Sequence, residues 1–381
     1  MDEYAMPALT AKAISFQQTS LFRDYVLASF PCHFGCTKRR VSINWIEYVD
    51  QRPGLMNSCF DWAIRACTFA YLGEHHRDPE WVIASCEFYQ RGLRGLSGLL
   101  LNEATAKSDE ALASAILLAV FEMHNHSIPD AWLRHAAGIR TLMKFRGAKA
   151  HLEGFGRTMY LFYRNFFVTE ALVKGEACFL DEPEWRALNE QIAADIAKSP
   201  MSSLYTETVE RGFLEVSKTP GYFKRTRDFL AQPSEGKNGA HWALQKDLQA
   251  ARAALKGIST DLNTCISVHG FGQIKHATFS GDVSNIVFER YSSLFADGLQ
   301  FAILILEYLI ANVELTQLPT PSSGKSTRPS KTIGYQRSLP PTVTVEPLFT
   351  EMQNNRANYK WMDRVISMMG LGAVSVRLIE Y

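Results

Sequence analysis

Apolar residues recur at the three- and four-residue spacing of an α-helix along most of this chain, and this periodicity constrains its fold more than any other feature. Two segments show it clearly: Leu112, Ala115, Ile116, Ala119, Val120 and Met123, and then Met159, Phe162, Tyr163, Phe166 and Phe167. Runs of alternating polar and apolar residues are scarce, and the best one is 342–345. The sequence therefore predicts an all-α fold, a large array of antiparallel helices forming a single domain over 1–381.

Capping signals mark several helix ends. Ser108, followed by two acidic residues, predicts a helix start, and so does the sequence Asp78-Pro79-Glu80. Gly175 predicts the end of the aromatic helix that contains Phe162. The spacing predicts three further helices, over 240–259, 284–313 and 354–369.

One segment departs from the helical pattern. Residues 319–347 contain six of the fifteen prolines and four basic residues. A segment this poor in apolar residues cannot bury a core, so we expect 319–347 to form a mobile loop between two late helices. The basic residues could form a localisation signal or a patch for an anionic partner, although a solvated loop is the simpler interpretation.

The charge composition argues against direct nucleic-acid binding. The chain has 40 basic and 39 acidic residues, a formal charge of +1, whereas a protein that binds a phosphate backbone by itself usually has a clear basic excess. Sequence-specific DNA binding by this polypeptide alone is therefore not expected.

Compartment signals are equally sparse. The longest apolar runs, such as 111–121 and 301–310, are too short to span a bilayer, and the N-terminus does not read as a secretion signal. The seven cysteines are scattered and odd in number, which is typical of reduced intracellular thiols. We expect an intracellular protein of the nucleus or cytoplasm, without a membrane span.

Signals for metals, cofactors and common catalytic chemistries are weak. Cys32 and Cys36 are close together, but with His33 they still leave a tetrahedral zinc site short of ligands. The sequence has no G-x-S-x-G elbow, no P-loop and no H-E-x-x-H motif. We therefore expect neither a metal nor a cofactor, and the catalytic residues, if there are any, are unknown.

Two neighbouring predicted helices carry the best candidates for a ligand pocket. The candidate ligand-binding residues are Trp132, His135, Arg157, Phe162, Arg164 and Glu170. Arginines beside aromatic rings can clamp a carboxylate or another oxygenated group, and a half-buried histidine can exchange a proton with a ligand carbonyl. The alternatives are a hydrogen-bonded core histidine and internal salt bridges from the arginines to Glu170, Asp181 or Glu184.

The order of motifs in the central block resembles a known family. These motifs are Trp132-Leu133-Arg134-His135, Arg146-Gly147, Gly154-Phe155-Gly156-Arg157, Glu170-Ala171-Leu172 and Cys178–Trp185. They resemble the large helical domain of fungal Zn2Cys6 transcription factors, and the resemblance extends from about Phe16 to the closing segment 361–370. In that family a zinc cluster that binds DNA precedes the helical domain, whereas we expect this chain to lack that module. The resemblance implies a regulatory domain that senses metabolites or contacts other proteins.

Two functions therefore remain open. The first is a transcription-regulator-like protein of a fungal secondary-metabolite pathway, which acts through a regulatory protein partner or by binding a hydrophobic small molecule. The alternative is an enzyme recruited from this fold, a cofactor-free cyclase or pericyclase that acts on a terpenoid or polyketide intermediate. Such an enzyme needs proximity and a few hydrogen bonds, so the lack of a catalytic motif does not exclude it.

Overall fold

The computed structural model describes residues 6–29, 40–52, 58–125, 131–200, 202–232, 238–269 and 281–315. Within these ranges the chain is helical and contains no β-strand, which confirms the all-α prediction. Four sequence-based expectations lie outside the described residues: the loop at 319–347, the strand-like run at 342–345, the helix at 354–369, and the cysteine pair Cys32 and Cys36.

Helices follow one another along the described residues. They are α1 Met6–Ser29, α2 Trp45–Asp50, α3 Cys59–His76, α4 Pro79–Leu100, α5 Glu103–Ala106, α6 Asp109–Asn125, α7 Ala131–Arg146, α8 Gly154–Lys174, α9 Pro183–Lys198, α10 Leu204–Val216, α11 Thr219–Ala231, α12 Asn238–His269 and α13 Gly281–Leu315. Two short 3-10 turns, Ala148–His151 and Phe179–Asp181, flank α8. The helices predicted over 240–259 and 284–313 correspond to α12 and α13. Both helices are longer than the spacing of apolar residues predicted.

The capping signals fall where the sequence placed them. The Ser108 hydroxyl accepts a hydrogen bond from the Ala111 N–H at 3.1 Å, and the Asp78 side chain accepts one from the Glu80 N–H at 2.9 Å. Gly175 ends α8 in the left-handed conformation, with φ of 65°. A residue with a Cβ would be strained at that position, so glycine suits the helix end.

Helix α8 forms the centre of the core, because it contacts α2, α6, α7 and α11. Its aromatic residues are buried, as the spacing predicted, and they pack ring against ring. Tyr48 of α2 stacks on Phe155 with centroids 3.5 Å apart, and Tyr163 stacks on Phe166 at 4.4 Å. Such contacts add to the large apolar area that each ring buries.

Helices α12 and α13 pair in antiparallel orientation. Lys256 of α12 binds Glu307 of α13 at 2.6 Å, while His241, nearer the start of α12, lies 3.2 Å from the carbonyl of Val313. The window Gly298–Leu315 of α13 is long and apolar enough to cross a membrane by length and composition, which exceeds the shorter run seen in the sequence. Half of that window is buried inside the protein, so it is weak evidence for a membrane span.

Replacing Phe166 by alanine should destabilise the protein strongly. The ring is fully buried, so its removal leaves a cavity and should lower the free energy of unfolding by roughly 3–5 kcal/mol. The exposed Phe145 provides a matched control, and its replacement by alanine should change that free energy by about 0.5 kcal/mol or less. Urea unfolding followed by circular dichroism measures both. Equal effects at the two positions would contradict the central role of α8.

Candidate functional site

Two arginines bind one buried carboxylate on the side of α8 that faces α9 and α10, and a third arginine lies beside them. Arg157 and Arg164 are seven residues apart on α8 and so share a face. Glu210 comes from α10, and Arg40 comes from the segment before α2. We call these four residues the arginine cluster.

The ion pair at the centre of the arginine cluster is almost completely removed from water. The Arg164 Nη2 donates to Glu210 Oε2 at 2.7 Å, and both side chains are 2% exposed. Arg40 donates to the other oxygen of the same carboxylate. Burial alone would raise the pKa of Glu210, but the two guanidinium groups outweigh it and lower that pKa. Glu210 is therefore a carboxylate at neutral pH.

Aromatic and polar contacts complete the surroundings of the two α8 arginines. The guanidinium carbon of Arg164 lies 3.8 Å from the centroid of the Phe213 ring, an arrangement that favours the cation. Arg157 donates to the carbonyl of Ile192 at 3.2 Å and lies 3.4 Å from Asp195, a partly exposed residue of α9. Arg164 therefore lies in the buried interior, whereas Arg157 lies closer to the surface, next to the partly exposed Asp195.

Hydrogen-bonding capacity is left over on the two α8 arginines of the arginine cluster. Arg164 binds Glu210, and Arg157 lies beside Asp195. Within the part of the chain that the structure describes, Nε and Nη1 of Arg164 and Nε of Arg157 have no hydrogen-bond partner. A guanidinium group offers five N–H donors in a planar fork that matches carboxylate and phosphate oxygens. The cluster is thus chemically suited to accept a small anion.

A second buried group, which the sequence did not reveal, lies beside the arginine cluster. The Tyr160 hydroxyl donates to Asn189 at 2.7 Å, and its ring packs against His151 and Trp185. Burial raises the pKa of Tyr160, and the nearby Arg164 opposes that shift. His151 Nδ1 lies 3.1 Å from the carbonyl of Gly156, and burial lowers the pKa of the imidazole to about 4. Nothing in the sequence around His151 distinguishes it from a surface residue of a turn.

His135 belongs to a different place in the fold. It is half-buried on α7, and its Nε2 lies 3.2 Å from the hydroxyl of Tyr89 on α4. Glu122 of α6 interacts with both residues, and burial lowers the pKa of His135 although Glu122 opposes that shift. Trp132 packs partly buried against the core nearby. His135 is therefore hydrogen-bonded within the fold, in a polar group with Tyr89 and Glu122. This is the alternative to a ligand-binding histidine that the sequence analysis left open.

The remaining two candidates also lie apart. Glu170 is buried and binds Lys174 at 2.6 Å and Arg140 of α7 at 3.4 Å. Phe162 packs against Trp45 in the core, with ring centroids 5.5 Å apart. The structure therefore brings Arg157 and Arg164 together, but it does not place the six candidate residues around one site between α7 and α8.

The arginines form internal salt bridges, but the expected partners were wrong. Neither Glu170, Asp181 nor Glu184 pairs with Arg157 or Arg164; the partners are Asp195 and Glu210. Asp181 instead binds Arg186, at 3.0 Å. These partners lie on helices that extend beyond the central motif block. Their position beside α8 therefore cannot be inferred from spacing along the sequence.

Cation ligands are not grouped in the described ranges. In those parts of the chain no three His, Cys, Asp or Glu side chains come together in a group that could hold a metal ion. The described cysteines are free thiols: Cys59, Cys67, Cys86, Cys178 and Cys265.

Removing Arg164 should destabilise the fold, because Glu210 would keep its buried charge with Arg40 as the main partner. Arg164→Ala should lower the free energy of unfolding by roughly 3–5 kcal/mol. The exposed pair of Arg186 and Asp181 is the control, and Arg186→Ala should cost about 1 kcal/mol or less. Urea denaturation at pH 7 measures both. A loss for Arg164→Ala no larger than the control loss would show that the buried pair is not structural.

The buried imidazole of His151 should make stability fall in acid. Its folded pKa of about 4 lies below the unfolded value near 6.5, so the contribution is complete above pH 6.5 and is lost as pH falls towards 4. The loss should reach about 3 kcal/mol, and His151→Gln should remove this part of the pH dependence. Substitution of the exposed His75 by glutamine should leave it unchanged. Denaturant unfolding at several pH values tests this, and parallel curves for the parent and His151→Gln would refute it.

Comparison with known proteins places part of the chain in a family. A family model described as the fungal specific transcription factor domain matches residues 20–178. That range contains Arg157 and Arg164 but ends before Asp195 and Glu210, so the arginine cluster joins the matched region to the helices that follow it.

A relative over the full chain is also known. The chain is 54% identical, over 396 aligned positions, to a protein of Emericella nidulans called "Uncharacterized protein AN5342". The alignment covers 100% of this chain and 85% of that protein. No solved structure matches this chain.

Proposed function

Because the chain belongs to the family with the fungal specific transcription factor domain, we propose that it is a regulatory protein controlled by an anionic small molecule. In this proposal it serves a fungal secondary-metabolite pathway in the nucleus or cytoplasm. It acts through a regulatory protein partner and does not read DNA sequence by itself. The formal charge of +1 supports the last point, since phosphate neutralisation dominates DNA affinity.

The observation that carries the proposal is the set of unpartnered guanidinium N–H donors on Arg157 and Arg164. A ligand carboxylate or phosphate would accept hydrogen bonds from the unpartnered nitrogens of Arg164 and Arg157. Phe213 beside Arg164 supplies apolar surface for the body of the ligand. The proposed ligand is therefore a hydrophobic small molecule with one oxyanion.

The position of the arginine cluster suggests how ligand binding would be transmitted. Arg157 and Arg164 lie on the central helix α8, whereas Asp195 and Glu210 lie on α9 and α10. An anion that binds the arginines would compete with Asp195 at the accessible edge and would loosen or re-form the contact between α8 and α9. A ligand shifts a conformational equilibrium only through such differential contacts.

A thermal-shift experiment tests the anion site. Sodium decanoate, benzoate and inorganic phosphate serve as probes, with decanol as the uncharged match to decanoate. A probe that binds at a hundred times its dissociation constant stabilises by about 2.7 kcal/mol, which corresponds to a rise in Tm of several degrees. We expect decanoate to raise Tm and decanol to have no effect.

Arg157→Met provides the variant for the same experiment, because Arg157 lies nearer the surface than Arg164 and its removal spares the central ion pair. The variant should lose the decanoate shift, whereas Arg186→Met, at an exposed pair, should keep it. The proposed anion site would be disproved if no anion raised Tm, or if Arg157→Met kept the full shift.

The full chain should not bind duplex DNA in a sequence-specific way at physiological salt. The reason is the near-neutral charge, which leaves few phosphate contacts to hold the protein in register on a duplex. Electrophoretic mobility shift with random duplex pools measures this, and a Zn2Cys6 zinc-cluster domain is the positive control. Enrichment of one sequence by this polypeptide alone would contradict the proposed dependence on a partner.

A cofactor-free cyclase is the second candidate, and the group of Tyr89, Glu122 and His135 is the observation that favours it. The hydroxyl and imidazole are within hydrogen-bond distance and only half-buried, so they could donate to the carbonyl of an uncharged substrate. The probe farnesylacetone, an uncharged terpenoid ketone, distinguishes the candidates. A thermal shift or cyclised product that depends on Tyr89 and His135, but not on Arg157, would favour the enzyme over the anion-controlled regulator.

A further inference from the structure

One face of α13 is apolar and open to solvent along its last three turns. Leu304, Tyr308, Ala311 and Leu315 follow each other at the spacing of a single helix face. Their large side chains are substantially exposed, at 43% for Leu304, 37% for Tyr308 and 42% for Leu315. We call these four residues the α13 stripe.

A tryptophan of α12 lies beside the end of the α13 stripe. Gln245 of α12 donates to Glu314, next to Leu315, at 3.2 Å. Trp242 is three residues before Gln245 and therefore lies on the same face of α12. Its side chain is 65% exposed, so it extends the apolar surface beyond Leu315.

The opposite face of α13 already has its packing partners. Leu306, Leu309 and Val313 are fully buried among the neighbouring helices. Exposed apolar residues scattered singly need no explanation, but a continuous row with a neighbouring tryptophan marks a binding surface. Two carboxylates lie along one side of the row: Glu307, which binds Lys256, and Glu314, which accepts only from the uncharged Gln245 among the contacts given above. A segment that docks there should therefore be apolar on one face and basic on the side that meets Glu314.

This chain contains a segment with that chemistry. In the sequence 354–369, the apolar residues Tyr359, Met362, Ile366 and Met369, together with Trp361, Val365 and Met368, occupy one half of a helical wheel. The basic residues Arg356, Lys360 and Arg364 recur every four residues on the other half. The basic row complements Glu314 in sign.

We propose that residues 354–369 bind as an amphipathic helix across the α13 stripe of the same chain. The chain continues directly from Leu315, and the connection 316–353 can extend over more than about 100 Å, whereas the α13 stripe covers roughly 16 Å. Attachment through this connection gives 354–369 an effective concentration of the order of millimolar, which favours it over a second molecule. The proposal is independent of the arginine cluster.

Photo-crosslinking in the full chain tests the proposal. A benzoyl-phenylalanine placed at Tyr308 should crosslink to a peptide within 354–369, and the product should migrate as a monomer. The same group placed at Leu101, an apolar residue that is 88% exposed, should not reach that peptide. A crosslinked dimer would assign the α13 stripe to a second copy, and crosslinks to other segments or to none would also overturn the proposal.

A second measurement does not depend on the crosslinker. The double variant Leu304→Glu and Leu315→Glu should release the segment and increase tryptic cleavage within 354–369 at least about tenfold. Ile83→Glu, at an exposed apolar residue of α4, is the control and should leave cleavage unchanged. The helical circular-dichroism signal of the protein should be largely retained. If the double variant folds and cleavage does not change, the segment does not bind the stripe.

Discussion

The buried carboxylate of Glu210 and its arginines hold the first and second halves of this helical array together. Removing a charged group from water costs several kcal/mol per ion, so a buried ion pair is tolerated only where its geometry is good. Glu210 meets this condition because Arg164 and Arg40 bind its two oxygens separately. Since apolar replacements of such pairs are often at least as stable, stability alone does not explain the buried pair, and this supports the anion-binding role proposed above. Helix α10 is the link, because it contacts α9, α12 and α13 as well.

The sequence predicted what depends on local spacing and did not predict what depends on contacts between distant segments. The all-α class, the start of α6 after Ser108 and the end of α8 at Gly175 follow from periodicity and capping within one or two turns. Arg157 and Arg164 could also be placed on one face, since seven residues make nearly two turns. Their partners could not be identified, because Glu210 lies 46 residues beyond Arg164 and several nearby carboxylates were equally plausible.

The histidines show the same limit of prediction from local sequence. His135 was identified because it stands at the margin of an apolar face, and its partner Tyr89 lies 46 residues earlier in the sequence. His151 was missed, because a histidine in a short turn between two glycines is normally exposed. In the fold that turn packs under Trp185 and Tyr160, so the imidazole is buried and its pKa falls. Burial of a turn depends on how the helices assemble, so the sequence near the turn does not predict it.

The location of the unpartnered arginine N–H groups supports a small anion over a nucleic acid as the ligand in the function proposed above. At the surface many basic residues are paired with acids, as Lys144 is with Glu182 and Arg225 is with Asp247. The unpartnered N–H donors of Arg164 and Arg157 lie in the interior. A DNA phosphate is held on a rigid duplex and cannot enter such a place, whereas a free carboxylate on a narrow apolar body can. The low dielectric of the interior would then strengthen each hydrogen bond to the arginines, so that one oxyanion could control the contact between α8 and α9.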